Sequence, residues 1–84
     1  MKTIIFSDHA LFQMLERGAS KEEVIEAIRN GEKIAAKHKR DSYRKNFQFD
    51  RKWANKFYHI KQVMPIVKDE ERGIAVITVY TFYF

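Results

Sequence analysis

The chain contains no cysteine. Disulfides and thiolate metal sites are therefore excluded together, which fits a reducing compartment. Proline occurs once and glycine three times in 84 residues. With so little of either there is no flexible linker, and one domain is expected. Long apolar runs are missing too. The opening Met1-Lys2-Thr3-Ile4-Ile5-Phe6 is too short for a signal peptide and meets Ser7-Asp8-His9 at once. Ile74 to Phe84 is the longest apolar stretch, far below the about 20 residues a membrane helix needs. A cytoplasmic protein without a membrane partner is the expectation. No glycine-rich phosphate loop and no serine elbow is present. His9, His38 and His59 stand far apart, with no carboxylate at a ligand spacing, so no metal and no cofactor is expected.

What is present is positive charge. The net charge is +5 and the isoelectric point about 9.6. Ten of the 16 basic residues fall between Lys33 and Lys61. Acidic residues cluster instead at Glu22-Glu23-Glu26 and Asp69-Glu70-Glu71. Such a balance favours an acidic partner, whether RNA, DNA, an anionic membrane or an acidic protein, and charge alone does not choose among them. The ordinary alternative is a solvated surface.

Periodicity predicts an α+β domain in the order β-α-α-β-β-β-β. Lys2 to Phe6 is a β-branched run. Ser7 or Asp8 can cap a helix that stops at Gly18, with Leu11, Met14 and Leu15 as its apolar stripe. Ser20-Lys21-Glu22-Glu23 is a capping box, opening a second helix that runs through Asn30 and stops at Gly31. After Gly31 the period becomes two. Lys33–Lys39, Tyr43–Phe49, Phe57–Val67 and Ile74–Phe84 read as strands. Turns are expected at Asp41-Ser42, from Asp50 to Lys56 and from Asp69 to Gly73. Both helices should pack on one face of a four- to five-stranded, mainly antiparallel sheet.

Alternation then assigns the faces. Ala75, Ile77 and Val79 should lie under the helices, with Thr78, Tyr80 and Phe82 opposite. Tyr58, Ile60, Met64 and Ile66 should be core, leaving His59, Lys61 and Val63 outside. Tyr43, Phe47 and Phe49 should point inward, leaving Arg44, Asn46 and Gln48 outward. The outer face would mix cations with aromatics, a surface on which bases stack and phosphates pair.

Several side chains on this plan carry chemistry. His9, Gln13 and Arg17 stand at i, i+4 and i+8, on one stripe of the first helix. His9 faces the positive end of the helix dipole, which favours a neutral imidazole able to accept a proton. Arg17 can fork onto phosphate oxygens. His59 and Tyr80 can supply a complementary acid or hold a substrate. Each has an ordinary reading: a capped helix start for His9, an ion pair with Glu16 or Glu23 for Arg17, a half-buried aromatic for Tyr80. Lys39, Arg40, Lys45, Lys61 and Thr78 complete the basic and hydroxyl-bearing set for RNA. Phe82-Tyr83-Phe84 either finish the core or form an edge that recruits a second copy.

Ser7-x-His9-Ala10, Glu16-Arg17-Gly18 and Glu23-Val24-Ile25, with Ile28 and Gly31, resemble a bacterial and archaeal family of proteins. It is the domain-of-unknown-function family four-two-five-eight. Tyr43-Arg44 and Val76-Ile77-Thr78-Val79-Tyr80 are similar to its pattern as well. The resemblance spans nearly the whole chain and extends to RelE-like and barnase-like toxin ribonucleases. It implies N-terminal helices against an antiparallel sheet. It also implies metal-independent RNA cleavage, by attack of the ribose 2′-hydroxyl on the adjacent phosphate. Carried over by position, His9 and Arg17 would be the helix contribution to the site, and Arg44, Thr78 and Tyr80 the sheet contribution. A ribosome-associated RNA substrate, a cognate antitoxin and a homodimer through the last strand are the expected partners. The strands lack an obvious glutamate base. The alternative is a module that binds RNA or protein and cuts nothing.

Overall fold

The computed structural model describes residues 2–35 and 37–84. The chain runs β1 (Ile4–Phe6), α1 (Asp8–Arg17), α2 (Lys21–Asn30), β2 (Glu32–Ala35), β3 (Asp41–Trp53), β4 (Lys56–Glu70) and β5 (Gly73–Tyr83). The strands form one sheet in the order β1-β5-β4-β3-β2. The β1–β5 pairing is parallel, and β2–β3, β3–β4 and β4–β5 are antiparallel. The first strand thus closes beside the last, and both helices pack on one face of a mixed α+β sheet.

Local chemistry explains the helices. Ser7 is in extended backbone, and its hydroxyl accepts from the Ala10 amide. Gly18 ends α1 at φ 78°, in the left-handed region, where a glycine carries no Cβ penalty. Ser20 and Glu23 form a reciprocal capping box at the start of α2. Two orphan amides are satisfied there by side chains of the same turn.

The core is built from small residues. Ala10, Met14, Ala19, Val24 and Ile28 of the helical layer meet Val63, Val67, Val76 and Val79 of the sheet. Helix α1 lies beside β5, and α2 lies over β3 and β4. The apolar stripe of α1 is narrower than Leu11, Met14 and Leu15 would make it. Leu15 is 83% exposed, and Gln13, from the polar stripe, is buried.

The strand boundaries and phases depart from alternation in four places. First, β2 stops at Ala35 instead of reaching Lys39; residue 36 of that expected strand lies outside the described residues. The turn falls before Asp41, where His38 and Lys39 adopt positive φ, so Asp41-Ser42 begins β3. Second, β3 and β4 continue through the expected long turn and reverse tightly at Ala54 and Asn55, whose φ values are 52° and 68°. Two successive positive φ angles suit the twist of a two-residue hairpin. Third, β4 is inverted: Lys61, Val63, Pro65 and Val67 are the buried set, while Ile60, Met64 and Ile66 are only half-buried on the far side. Fourth, a bulge at Ile77 breaks β5, because Val76 pairs with Val67 but Thr78 pairs with Ile66. One extra residue shifts the alternation. Val76 and Val79 are therefore both buried, in place of Ala75, Ile77 and Val79. The faces of β3 fall as expected, with Tyr43, Phe47 and Phe49 inward and Arg44, Asn46 and Gln48 exposed.

Candidate nucleic-acid interface

Beyond β1, the outer edge of β5 has no strand beside it among the described residues. Helix α1 closes that edge with side chains. The Gln13 carboxamide oxygen accepts from the Val79 amide at 3.0 Å. One turn on, Arg17 donates to the Val79 carbonyl at 2.7 Å. An i, i+4 pair on one helix face thus satisfies both backbone groups of one strand residue, as a neighbouring strand would. Ser7 adds a bond to the Ile77 carbonyl at 3.4 Å, and the Tyr83 hydroxyl donates to the Arg17 carbonyl at 2.7 Å. Helix α1 is laced along the edge from Ile77 to Tyr83.

Arg17 therefore pairs with neither Glu16 nor Glu23. Its guanidinium carbon lies 5.2 Å from the centroid of the Tyr80 ring. Tyr80 is 40% exposed, and Phe82 lies beside it, near-parallel at 6.4 Å. The two rings and Phe84 stand at alternate positions of the sheet face away from the helices. The register extends this face. Met64 is opposite Tyr80, Gln62 opposite Phe82, and Asn46 opposite Gln62. Gln62 donates to Asn46 at 2.9 Å. Arg44 stands on the same face, two strands from Tyr80, roughly 10 Å away at ordinary strand spacing. It is exposed and forms an ion pair with Glu32 at 2.9 Å.

The sequence-predicted site residues divide into groups. Arg17, Tyr80 and Arg44 share the open face or its rim. Thr78 is half-buried opposite Ile66, in the next row. His9 is exposed in the first turn of α1, between the helix contacts to Ile77 and Val79. It is about 12 Å along the helix axis from Arg17. His59 is not with them. It sits five residues along β4 from Met64, roughly 16 Å, and its Nδ1 is 2.9 Å from an Asp50 carboxylate oxygen. That contact, joined by Gln48, holds the Asp50 carboxyl below the usual carboxylate range.

Two predicted RNA ligands point the other way. Lys61 is 5% exposed under the helices; its ammonium donates to the Gly18 carbonyl at 2.9 Å and pairs with Glu23 at 2.8 Å. Lys45 pairs with Glu26 of α2 at 2.6 Å. The Lys45 contact, with a smaller one from Asn30, lowers the Glu26 pKa. Lys39 and Arg40 remain exposed in the β2–β3 turn. Sequence reasoning gave Gln13 no role, although its place between His9 and Arg17 was the signal. It also left Met64 and Gln62 out of the open face, because β4 was read in the opposite phase.

Among the described residues, no group of three or more His, Asp or Glu side chains is placed to hold a metal. No described helix is long and apolar enough to cross a membrane. The molecule is thus a small α+β protein with helices on one sheet face and aromatic and cationic side chains on the other. The chain belongs to the family described as domain of unknown function DUF4258, whose model matches residues 6–81. No curated protein and no solved structure matches it.

Proposed function

We propose that the protein engages RNA on the open face of its sheet and cleaves it without a metal, as a toxin-type endoribonuclease of RelE-like or barnase-like kind. The observation that carries this is Arg17: anchored on the Val79 carbonyl, it lies against the exposed Tyr80 ring. One N–H of the guanidinium is used by the strand, and the others can meet a phosphate. Tyr80 and Phe82 offer faces on which unstacked bases lie. Asn46 and Gln62 offer amides to base edges, and Arg44 a second cation.

The chemistry needs little more. His9 takes the proton of a ribose 2′-hydroxyl. That oxygen bonds to the adjacent phosphorus, and the bond from phosphorus to the 5′-oxygen of the next nucleotide breaks. A 2′,3′-cyclic phosphate remains, while the leaving 5′-oxygen takes a proton from the Tyr80 hydroxyl, which solvent then replaces. Arg17 stabilises the charge that grows on the phosphate. His59 has no part in this scheme, since it is engaged with Asp50 at the far end of the hairpin. Toxin-type activity requires a cognate antitoxin and a cytoplasmic RNA target, free or on the ribosome.

The second reading is an RNA-binding module without cleavage. It is favoured by the about 12 Å of helix between His9 and Arg17, which leaves acid and base wide apart. One experiment separates the two. End-labelled single-stranded RNA is incubated with pure protein in EDTA. Cleavage that ends in a cyclic phosphate and falls by about 10² or more in His9→Ala supports the enzyme. Intact RNA with salt-dependent affinity, lost in Tyr80→Ala, supports the module. Neither product nor binding refutes both.

A further inference from the structure

The helices are shorter than the sheet they cover. Each spans 10 residues, about 15 Å, whereas β3 and β4 run for 13 and 15 residues. Past the end of α1, aromatic side chains take over the helix side of the hairpin. Tyr83 is their hub. It stacks on Trp53 at 5.2 Å and 14°, and tilts against Phe49 at 5.2 Å and Tyr58 at 5.6 Å. Its hydroxyl is tied to the Arg17 carbonyl, so the cluster is fixed to the helix end. Between the two lies a cleft of about 240 Å³, lined by Gly18, Phe49, Arg51, Lys52, Trp53 and Tyr83 above the buried Lys61.

The lining is cationic as well as aromatic. Lys61 is balanced by Glu23. Arg51 and Lys52 are exposed and take part in none of the ion pairs among the described residues. Arg51 is held 4.8 Å over the Phe49 ring, and the neighbouring Asp50 is occupied by His59. Gly18 keeps the end of α1 open to the rings. A Cβ there would come within 2.6 Å of the Tyr83 hydroxyl and 2.9 Å of two Trp53 ring atoms.

We propose that this cleft binds a nucleoside monophosphate, with its base against the Trp53 ring and its phosphate on the Arg51 guanidinium, the cation that shares the Phe49 and Trp53 side of β3. A planar ring suits a base, and a guanidinium without an acidic partner suits a phosphate. The cleft is smaller than the roughly 300–1,000 Å³ of a drug-sized pocket, so it seats one nucleotide and not a strand. It is separate from the open face, because Tyr83 and Tyr80 project to opposite sides of β5. The ligand is either a free nucleotide or the phosphorylated 5′ end of an RNA.

Trp53 is the one tryptophan in the chain, so its emission reports on this cleft alone. The full protein is titrated with AMP, adenosine, inorganic phosphate and short RNAs with and without a 5′ phosphate, with excitation at the red edge of indole absorption. Saturable quenching by AMP is expected, at an affinity at least about tenfold above adenosine or phosphate alone. Arg51→Ala should lose about tenfold in AMP affinity with an unchanged Trp53 emission maximum, and Lys52→Ala, on the other face of the strand, should lose much less. Quenching by the 5′-phosphorylated RNA as strong as by AMP assigns the cleft to RNA ends. Quenching by AMP with no response to that RNA assigns it to free nucleotides. Either result supports the site. No saturable quenching at millimolar AMP, equal binding of adenosine, or indifference to Arg51→Ala overturns it.

Discussion

Lys61→Met is the most informative single change in the fold. The substitution keeps much of the side-chain stem and removes the ammonium. Three things are lost: the 2.8 Å pair with Glu23, the 2.9 Å bond to the Gly18 carbonyl, and the cation 5.3 Å from the Phe49 ring. Removing one partner of a buried pair costs about 3–5 kcal/mol, mainly through the charge left behind. Here the Glu23 side chain is 21% exposed and keeps its bond from the Ser20 amide. The penalty should therefore fall at about 2–3 kcal/mol. For a domain of this size that lowers Tm by roughly 10–20 °C, against a total stability of about 5–15 kcal/mol. Urea denaturation of the parent, Lys61→Met, Glu23→Gln and the double variant forms the cycle. The double variant should be more stable than Lys61→Met alone, since no uncompensated carboxylate remains. A Lys61→Met variant within about 0.5 kcal/mol of the parent, the range of ordinary surface changes, would refute the assignment of Lys61 as the tie between α1, α2 and β4.

Gln13→Ala leaves the Val79 amide without a partner and should cost about 1–3 kcal/mol; hydrogen exchange at Val79 should accelerate selectively, and Gln13→Glu, which keeps the acceptor, should retain more of the protection. Gly18→Ala combines a left-handed backbone with a clash against Tyr83 and Trp53. It should destabilise by more than the about 1 kcal/mol of a simple conformational penalty and shift Trp53 emission; an unshifted spectrum would refute the close approach of Gly18 to Trp53. Burial pushes the Tyr83 phenol up to about 12, with Glu23 adding to the effect. A group held neutral by folding contributes stability that is complete below its unfolded pKa near 10 and is lost as pH rises toward 12. Alkaline absorbance titration should show one late phenol that disappears in Tyr83→Phe.

The parts legible in the sequence were those written in one turn of chain. Ser7 or Asp8, Gly18 and the Ser20–Glu23 box marked the ends of both helices, with the structure choosing Ser7 as the first cap, because caps are local hydrogen bonds and local φ values. The faces of β3 were legible because polar and aromatic residues alternate there. In β4 both faces are apolar from Val63 to Val67, and Lys61 and Gln62 put one polar residue on each face, so alternation could not choose between them. Lys61 among them pointed outward by type, yet it is buried because Glu23 and the Gly18 carbonyl meet it from above. The bulge at Ile77 was equally hidden. Its neighbours are all β-branched or small, and nothing in their order marks an extra residue.

The site follows the same division. Helical spacing alone put His9, Gln13 and Arg17 on one stripe, and alternation put Tyr80 with Phe82. That Gln13 and Arg17 spend hydrogen bonds on Val79, and that Arg17 reaches Tyr80, depends on α1 lying against β5, which are 62 residues apart where Arg17 meets Val79. The sequence by itself determined the helices, their caps, the element order and the excess of positive charge. Tertiary structure decided which cations are exposed and which are buried ties. Charge type is a property of the residue, but exposure is set by the partner that the fold brings to it.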